Sequence, residues 1–171
     1  GFSTCFRREA GAAGRDTRGV FRVHQFDKVE MFSFVEPSES AAEHERLLAI
    51  EESILGALEI PYRVVNVAAG DLGAPAAKKY DCEAWIPSQK RYRELTSCSN
   101  TTDYQARRLG CRYRPADGEA PQVVHTLNGT AVAVGRTIIA LIENRQESNG
   151  GFSLPNILEK YGSPERILPR P

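Results

Sequence analysis

The segment from Thr4 to Glu30 limits the possible fold more than any other part of the chain. Two strand-like segments, Thr4 to Glu9 and Val20 to Glu30, flank a loop that contains Gly11, Gly14 and Gly19 with Arg15 and Arg18. A hairpin of this kind carries several guanidiniums, one aromatic and two carboxylates to one surface. That set suits a nucleotide, whose phosphates need fixed cations and whose base needs a π-face.

Further along, apolar spacing and turn residues predict alternating elements. Met31 to Val35 continues the strand until Pro37 breaks it, and Ser40 with Glu43 has the form of a capping box. Leu47, Leu48, Ile54, Leu55 and Leu58 recur at helical spacing, so residues 39 to 59 read as an amphipathic helix ended by Pro61. Tyr62 to Val67, Asp81 to Ile86, Arg91 to Ser97 and Val123 to Leu127 read as strands. Asn100, Thr101 and Thr102 are placed to cap a short helix from Asp103 to Leu109. A helix from Ala133 or Gly135 to Gln146 would turn Ile138, Leu141 and Ile142 inward, and Leu154 to Tyr161 reads as a last short helix. Strands cluster with few helices between them, which favours an antiparallel sheet over a βαβ winding. Neither a G-x-x-x-x-G-K-[ST] nor a G-x-G-x-x-G run occurs, so a nucleotide would not sit on a helix N-terminal phosphate loop.

Composition narrows the function classes. Formal net charge is zero, so nothing global calls for nucleic acid, although residues 88 to 114 hold seven bases against two acids. Residues 37 to 60 hold six acids against the single base Arg46, as a solvated helix face would. Cys5, Cys82, Cys98 and Cys111 include no C-x-x-C pair and form no recognisable zinc framework; free thiols in a reducing cytosol are expected. No apolar run approaches the ~20 residues of a membrane span, and no signal peptide is visible. His24, His44 and His125 lack the context of a nucleophile elbow or a comparable triad.

Three motifs carry a family resemblance. Phe6-Arg7-Arg8-Glu9 resembles the phenylalanine-arginine-any-glutamate signature called motif 2 in class II aminoacyl-tRNA synthetases, and the longer string resembles the seryl-tRNA synthetase family in that class. His125 to Thr137, with Gly135-Arg136, is similar to motif 3. Arg93-Glu94-Leu95-Thr96-Ser97-Cys98-Ser99-Asn100 is similar to the family's ATP and metal strand. The resemblance implies an α+β fold with a mainly antiparallel sheet flanked by helices. It implies ATP-dependent activation of L-serine to seryl-adenylate, then transfer to the acceptor end of a serine tRNA, in a cytoplasmic homodimer that is not membrane-bound. Arg7 and Arg136 would be catalytic. Arg7, Arg8, Glu9, Val23, Phe26, Glu94, Leu95, Thr96, Ser97 and Arg136 would bind ATP. Arg7, Glu30, Asn128 and Thr130 would bind serine, Glu94 and Ser97 would hold Mg²⁺, and Arg15 and Arg18 would meet tRNA. Many members carry serine where Thr130 stands; threonine keeps the hydroxyl and adds a methyl.

Glu94 and Ser97 lie three apart on a predicted strand, where alternation puts them on opposite faces, so their shared role requires a bend or bulge. Residues 1 to 171 are expected to form the C-terminal portion of the catalytic domain, without motif 1 or the tRNA-gripping helical hairpin, and to be inactive alone. A non-catalytic synthetase-derived regulator is the alternative from another functional class; it would be expected to have lost some of Arg7, Glu30, Glu94 or Arg136. An amino acid:carrier-protein ligase is the third reading.

Overall fold

The computed structural model describes residues 1–9, 19–116 and 118–169. Six antiparallel strands form one sheet: β1 (Phe2–Phe6), β2 (Gln25–Val35), β3 (Tyr62–Asn66), β4 (Lys78–Ile86), β5 (Arg91–Asn100) and, after two short strands, β8 (His125–Ala133). Their spatial order is β1-β2-β8-β5-β4-β3. The short strands β6 (Arg112–Tyr113) and β7 (Gln122–Val123) pair separately, as do β9 (Phe152–Ser153) and β10 (Arg166–Ile167). The predicted α+β antiparallel fold is the observed one.

Helices α1 (Ser40–Ala57) and α3 (Val134–Arg145) pack into one core on the same face of the sheet. Leu47, Leu48 and Leu55 of α1 meet Ala140 and Leu141 of α3 over Cys82, Ala84, Ile86, Leu95, Cys98 and Leu127. The opposite face is more open and mixes Lys28 and Glu30 of β2 with Phe26, Phe32 and Phe34, the last two exposed. α2 (Tyr104–Leu109) ends on Gly110, whose φ of +65° suits a residue without a Cβ.

Several local expectations are corrected. β2 starts at Gln25 rather than Val20, because Gly19 to His24 folds as irregular chain beneath the cavity described below. β5 and β8 run longer than predicted, to Asn100, where β5 pairs with both β4 and β8, and to Ala133, where β8 pairs with β2; sheet pairing outweighs local propensity. The capping box does not form. Ser40 Oγ instead accepts a hydrogen bond from Asn100 Nδ2 at 2.7 Å, and Glu43 pairs with Arg46 and Ser33. A buried asparagine on the sheet outcompetes the local cap for the serine oxygen. Ile138 faces outward at 49% exposure; Thr137, Ala140 and Leu141 make the inner face of α3. The last predicted helix is a 3-10 segment, Asn156–Tyr161. The four cysteines are free, with Cys82 and Cys98 buried.

The core holds a carboxyl group. Glu51 of α1 is fully buried, and its Oε2 accepts a hydrogen bond from Thr96 Oγ1 at 2.8 Å. Burial first, then the nearby charges of Glu30 and Asp81, push its carboxyl from the ordinary 4.5 up to about 7, against the hydrogen bonds from Thr96 and Cys82. Because the folded value lies above the unfolded one, stability is greatest below about pH 4.5 and falls as pH rises toward 7. The full penalty above that is on the order of 3 kcal/mol. Glu51→Gln is therefore expected to stabilise the protein at pH 8 by about 1–3 kcal/mol, with the gain shrinking as pH falls toward 4.5. Thermal melts of both forms between pH 4.5 and 8 check this; a gain that is constant with pH contradicts it.

Candidate functional site

Two register shifts in the sheet assemble the site. Between β4 and β5, Cys82 pairs with Thr96 but Glu83 pairs with Glu94, so Leu95 is an extra residue in β5. This is a β-bulge, and it resets the alternation. Glu94 and Ser97 consequently share the open face, while Leu95 and Thr96 are buried, Thr96 being turned back to Glu51. Between β2 and β8, Val29 pairs with Val132 but Glu30 pairs with Thr130, so Ala131 is the extra residue. That shift sets Glu30 directly opposite Thr130.

A carboxylate pocket results. Thr130 Oγ1 donates to Glu30 Oε2 at 3.2 Å, and Asn128 Nδ2 donates to Glu30 Oε1 at 3.2 Å. Lys28 Nζ lies 2.5 Å from Glu30 Oε2. Gly129, between the two donors, points to the helical side. A Cβ there would lie 2.8 Å from Glu51 Oε1 and 2.9 Å from Cys98 Cβ, so only glycine lets α1 approach.

Beside this pocket opens a cavity of about 150 Å³. It is lined by Arg7 and Glu9 after β1, by Val20 to Val23, by Phe26 and Lys28 of β2, by Glu94 to Ser97 of β5, by Thr130 and Ala133 of β8, and by Gly135 and Arg136 of α3. The Arg7 guanidinium lies 5.3 Å from the centre of the Phe26 ring. Arg7 N–H donates to the His24 carbonyl at 2.9 Å, which closes the base of the hairpin. Glu9 adopts a left-handed φ of +56°, rare for a residue with a side chain, and pairs with Arg22. Arg136 Nη1 donates to the Glu94 carbonyl at 2.8 Å, tying the helix start to the bulge. On the neighbouring strand Lys79 Nζ lies 2.8 Å from Asp81 Oδ1 and 3.8 Å from Glu94 Oε1. Burial raises the Asp81 pKa; the ammonium of Lys79 opposes that, and its own pKa is raised by Asp81 and Glu94 despite burial.

A profile of the family described as tRNA synthetase class II core domain (G, H, P, S and T) matches residues 1–145. The chain belongs to that class II synthetase family. Its curated relatives include proteins named serine–tRNA ligase from Acidothermus cellulolyticus, 59% identical over 99% of this chain, and from Rubrobacter xylanophilus, 60% identical over 99%. The match covers 40% of each relative, so this chain spans about two fifths of their length. Among solved structures, seryl-tRNA synthetase from Pyrococcus horikoshii complexed with ATP superposes on all of this chain and 38% of its own, with a TM-score of 0.96 and 53% identity. The cytoplasmic serine–tRNA ligase of Naegleria fowleri in complex with AMP covers all of this chain and 41% of its own, at 0.92 and 43%.

Within this class II domain most of the expected site residues converge. Arg7, Glu9, Val23, Phe26, Glu94, Leu95, Thr96, Ser97, Thr130 and Arg136 line the cavity, and Glu30 and Asn128 adjoin it through Thr130. Leu95 and Thr96 are buried, and the Thr96 hydroxyl is spent on Glu51. Arg8 is exposed and lies outside the cavity lining, as alternation from Arg7 would have indicated. Arg15 and Arg18 lie outside the described residues. Sequence reasoning missed Lys28, Arg22, Phe21 and the Lys79–Asp81 pair. Lys28 was findable, since Phe26, Lys28 and Glu30 alternate onto one face. No local pattern pointed to the others, because they meet the site through pairing and packing.

Proposed function

We propose that this chain carries the ATP site and part of the serine site of a serine–tRNA ligase. One observation carries the reading: the two bulges set a carboxylate with two neutral donors, Glu30 with Thr130 and Asn128, beside a cavity that presents Arg7, Phe26 and Arg136. The relatives named serine–tRNA ligase and the neighbour complexed with ATP support it. The serine ammonium would replace Lys28 Nζ against Glu30, and the serine hydroxyl would exchange hydrogen bonds with Thr130. The serine carboxylate then attacks the α-phosphorus; a new O–P bond forms, the bond from the α-phosphorus to the oxygen bridging to the β-phosphate breaks, and pyrophosphate leaves. Arg7 can hold the attacking carboxylate and the α-phosphate in one planar fork, which an ammonium cannot do. Phe26 offers the base a ring, and Arg136 offers a second fixed cation. In a second step a ribose hydroxyl of the 3′-terminal adenosine of tRNA attacks the seryl carbonyl, the bond from that carbonyl to the phosphate oxygen breaks, and AMP leaves. Such transfers depend mostly on positioning and charge neutralisation.

The residues also fit Mg²⁺. Glu94 and Ser97 supply a carboxylate and a hydroxyl on one face, oxygen donors of the kind Mg²⁺ takes. When bound, the ion would neutralise charge on the triphosphate.

A homodimer is part of the proposal. Phe2 and Phe6 on one face and Phe32 and Phe34 on the other are 61–74% exposed near the β1 edge, as surfaces awaiting cover are. The free cysteines fit a reducing cytoplasm, and among the described residues no helix is long and apolar enough to cross a membrane. The pocket residues Glu30, Asn128 and Thr130 offer neither thiol nor imidazole, which favours this reading over a zinc-dependent carrier-protein ligase. The test is serine-dependent ATP–pyrophosphate exchange by a protein carrying this chain within the full length typical of its relatives. Exchange with serine, and seryl transfer to tRNA but not to a carrier protein, is expected. A protein that binds ATP but exchanges with no amino acid would favour the regulator.

A further inference from the structure

Phe21 joins no strand, yet it is only 8% exposed and belongs to the core cluster. It also lines the cavity. Two guanidiniums lie over its ring, Arg93 from β5 at 4.2 Å from the centroid and Arg136 from α3 at 4.7 Å. Both distances are within the range in which a cation is attracted to a ring face. Arg136 is further held by the Glu94 carbonyl at 2.8 Å. A long side chain with many rotamers is thus restrained at its head by a ring on one side and a bulge carbonyl on the other. Restraint of this kind lowers the ordering cost that a ligand would otherwise meet on binding.

We propose that Phe21 is a positioning residue for the nucleotide, acting through Arg136: its ring pre-orients the guanidinium that the cavity offers to ATP. The inference rests on the ATP reading of the cavity. It assigns a role in nucleotide affinity to a side chain that has no polar group of its own. Because the coupling runs through the ring quadrupole, it depends on the electronics of the ring as well as on its shape.

The test uses the full-length protein and calorimetric titration with ATP and, separately, with serine. Phe21→Leu keeps an apolar side chain and removes the π-face. Pentafluorophenylalanine at position 21 keeps the aromatic ring and its burial and reverses the quadrupole. Both are expected to weaken ATP binding about five- to tenfold and to leave serine binding within about twofold, with Phe21→Tyr close to the unsubstituted protein. In an Arg136→Ala background, neither change should weaken ATP binding further. ATP affinity unchanged by the fluorinated ring would overturn the inference, as would effects that simply add to Arg136→Ala. Should Phe21→Leu fail to fold, the fluorinated variant decides alone. An unsubstituted protein that bound serine but no ATP would remove the nucleotide reading itself, and this inference with it.

Discussion

Arg136→Ala is expected to lower the rate of adenylate formation about 10²–10³-fold, the usual consequence of removing one fixed cation aimed at developing charge. The side chain lines the cavity, and its Nη1 is anchored on the Glu94 carbonyl, so its position is set before substrate arrives. Arg7→Ala should fall on the same scale, because Arg7 reaches the cavity from β1, across Phe26. The loss should appear in kcat of pyrophosphate exchange more than in KM, since charge moves onto the leaving pyrophosphate mainly in the transition state. Arg136→Lys should recover little, as an ammonium cannot reproduce a planar fork. Single-turnover measurement of adenylate separates chemistry from release. A rate within threefold of the unsubstituted enzyme would remove Arg136 from the reaction.

Glu30→Gln is expected to lower kcat/KM for serine about 10²–10³-fold while leaving ATP affinity nearly unchanged, in line with the roughly 2–5 kcal/mol lost when one partner of a desolvated charge pair is neutralised. The carboxylate is only 16% exposed and sits 2.5 Å from the Lys28 ammonium. Neutralising it leaves that ammonium, and the substrate's, without an opposite charge. Thr130→Val should act on a smaller scale, weakening selection of serine over alanine by about 1–3 kcal/mol through the lost hydroxyl partner. Exchange assays with serine and alanine at saturating ATP would distinguish the two effects. Unaltered serine dependence in Glu30→Gln would place the amino acid elsewhere.

Part of this arrangement was legible in the chain because it is local. Apolar alternation marks most of the strands, helical spacing marks α1, and the arginines and Phe26 of the hairpin suit phosphate and base. The family resemblance added roles for Glu30, Asn128 and Thr130, whose separation of about a hundred positions no periodicity can bridge. The errors were also local. A serine and glutamate at capping spacing were taken by Asn100, Ser33 and Arg46, partners that only folding supplies.

The chain by itself determined which side chains are available: the guanidiniums, the aromatic, the pocket carboxylate with its donors, and the glycine between them. Tertiary structure decided which face each one uses. Alternation alone separates Glu94 from Ser97, and one unpaired residue, Leu95, brings them together. A bulge exists only relative to the strand opposite, so neither strand's own sequence announces it. The same holds for Phe21, which looks like an ordinary apolar residue until β5 and α3 each lay a guanidinium over its ring. It holds for Glu51 too, which looks like one acid among six on a solvated helix face until packing against Gly129 and Thr96 takes it out of water and pushes its carboxyl up to about 7. Register and burial are properties of pairs of segments, and a linear pattern carries information about only one segment at a time.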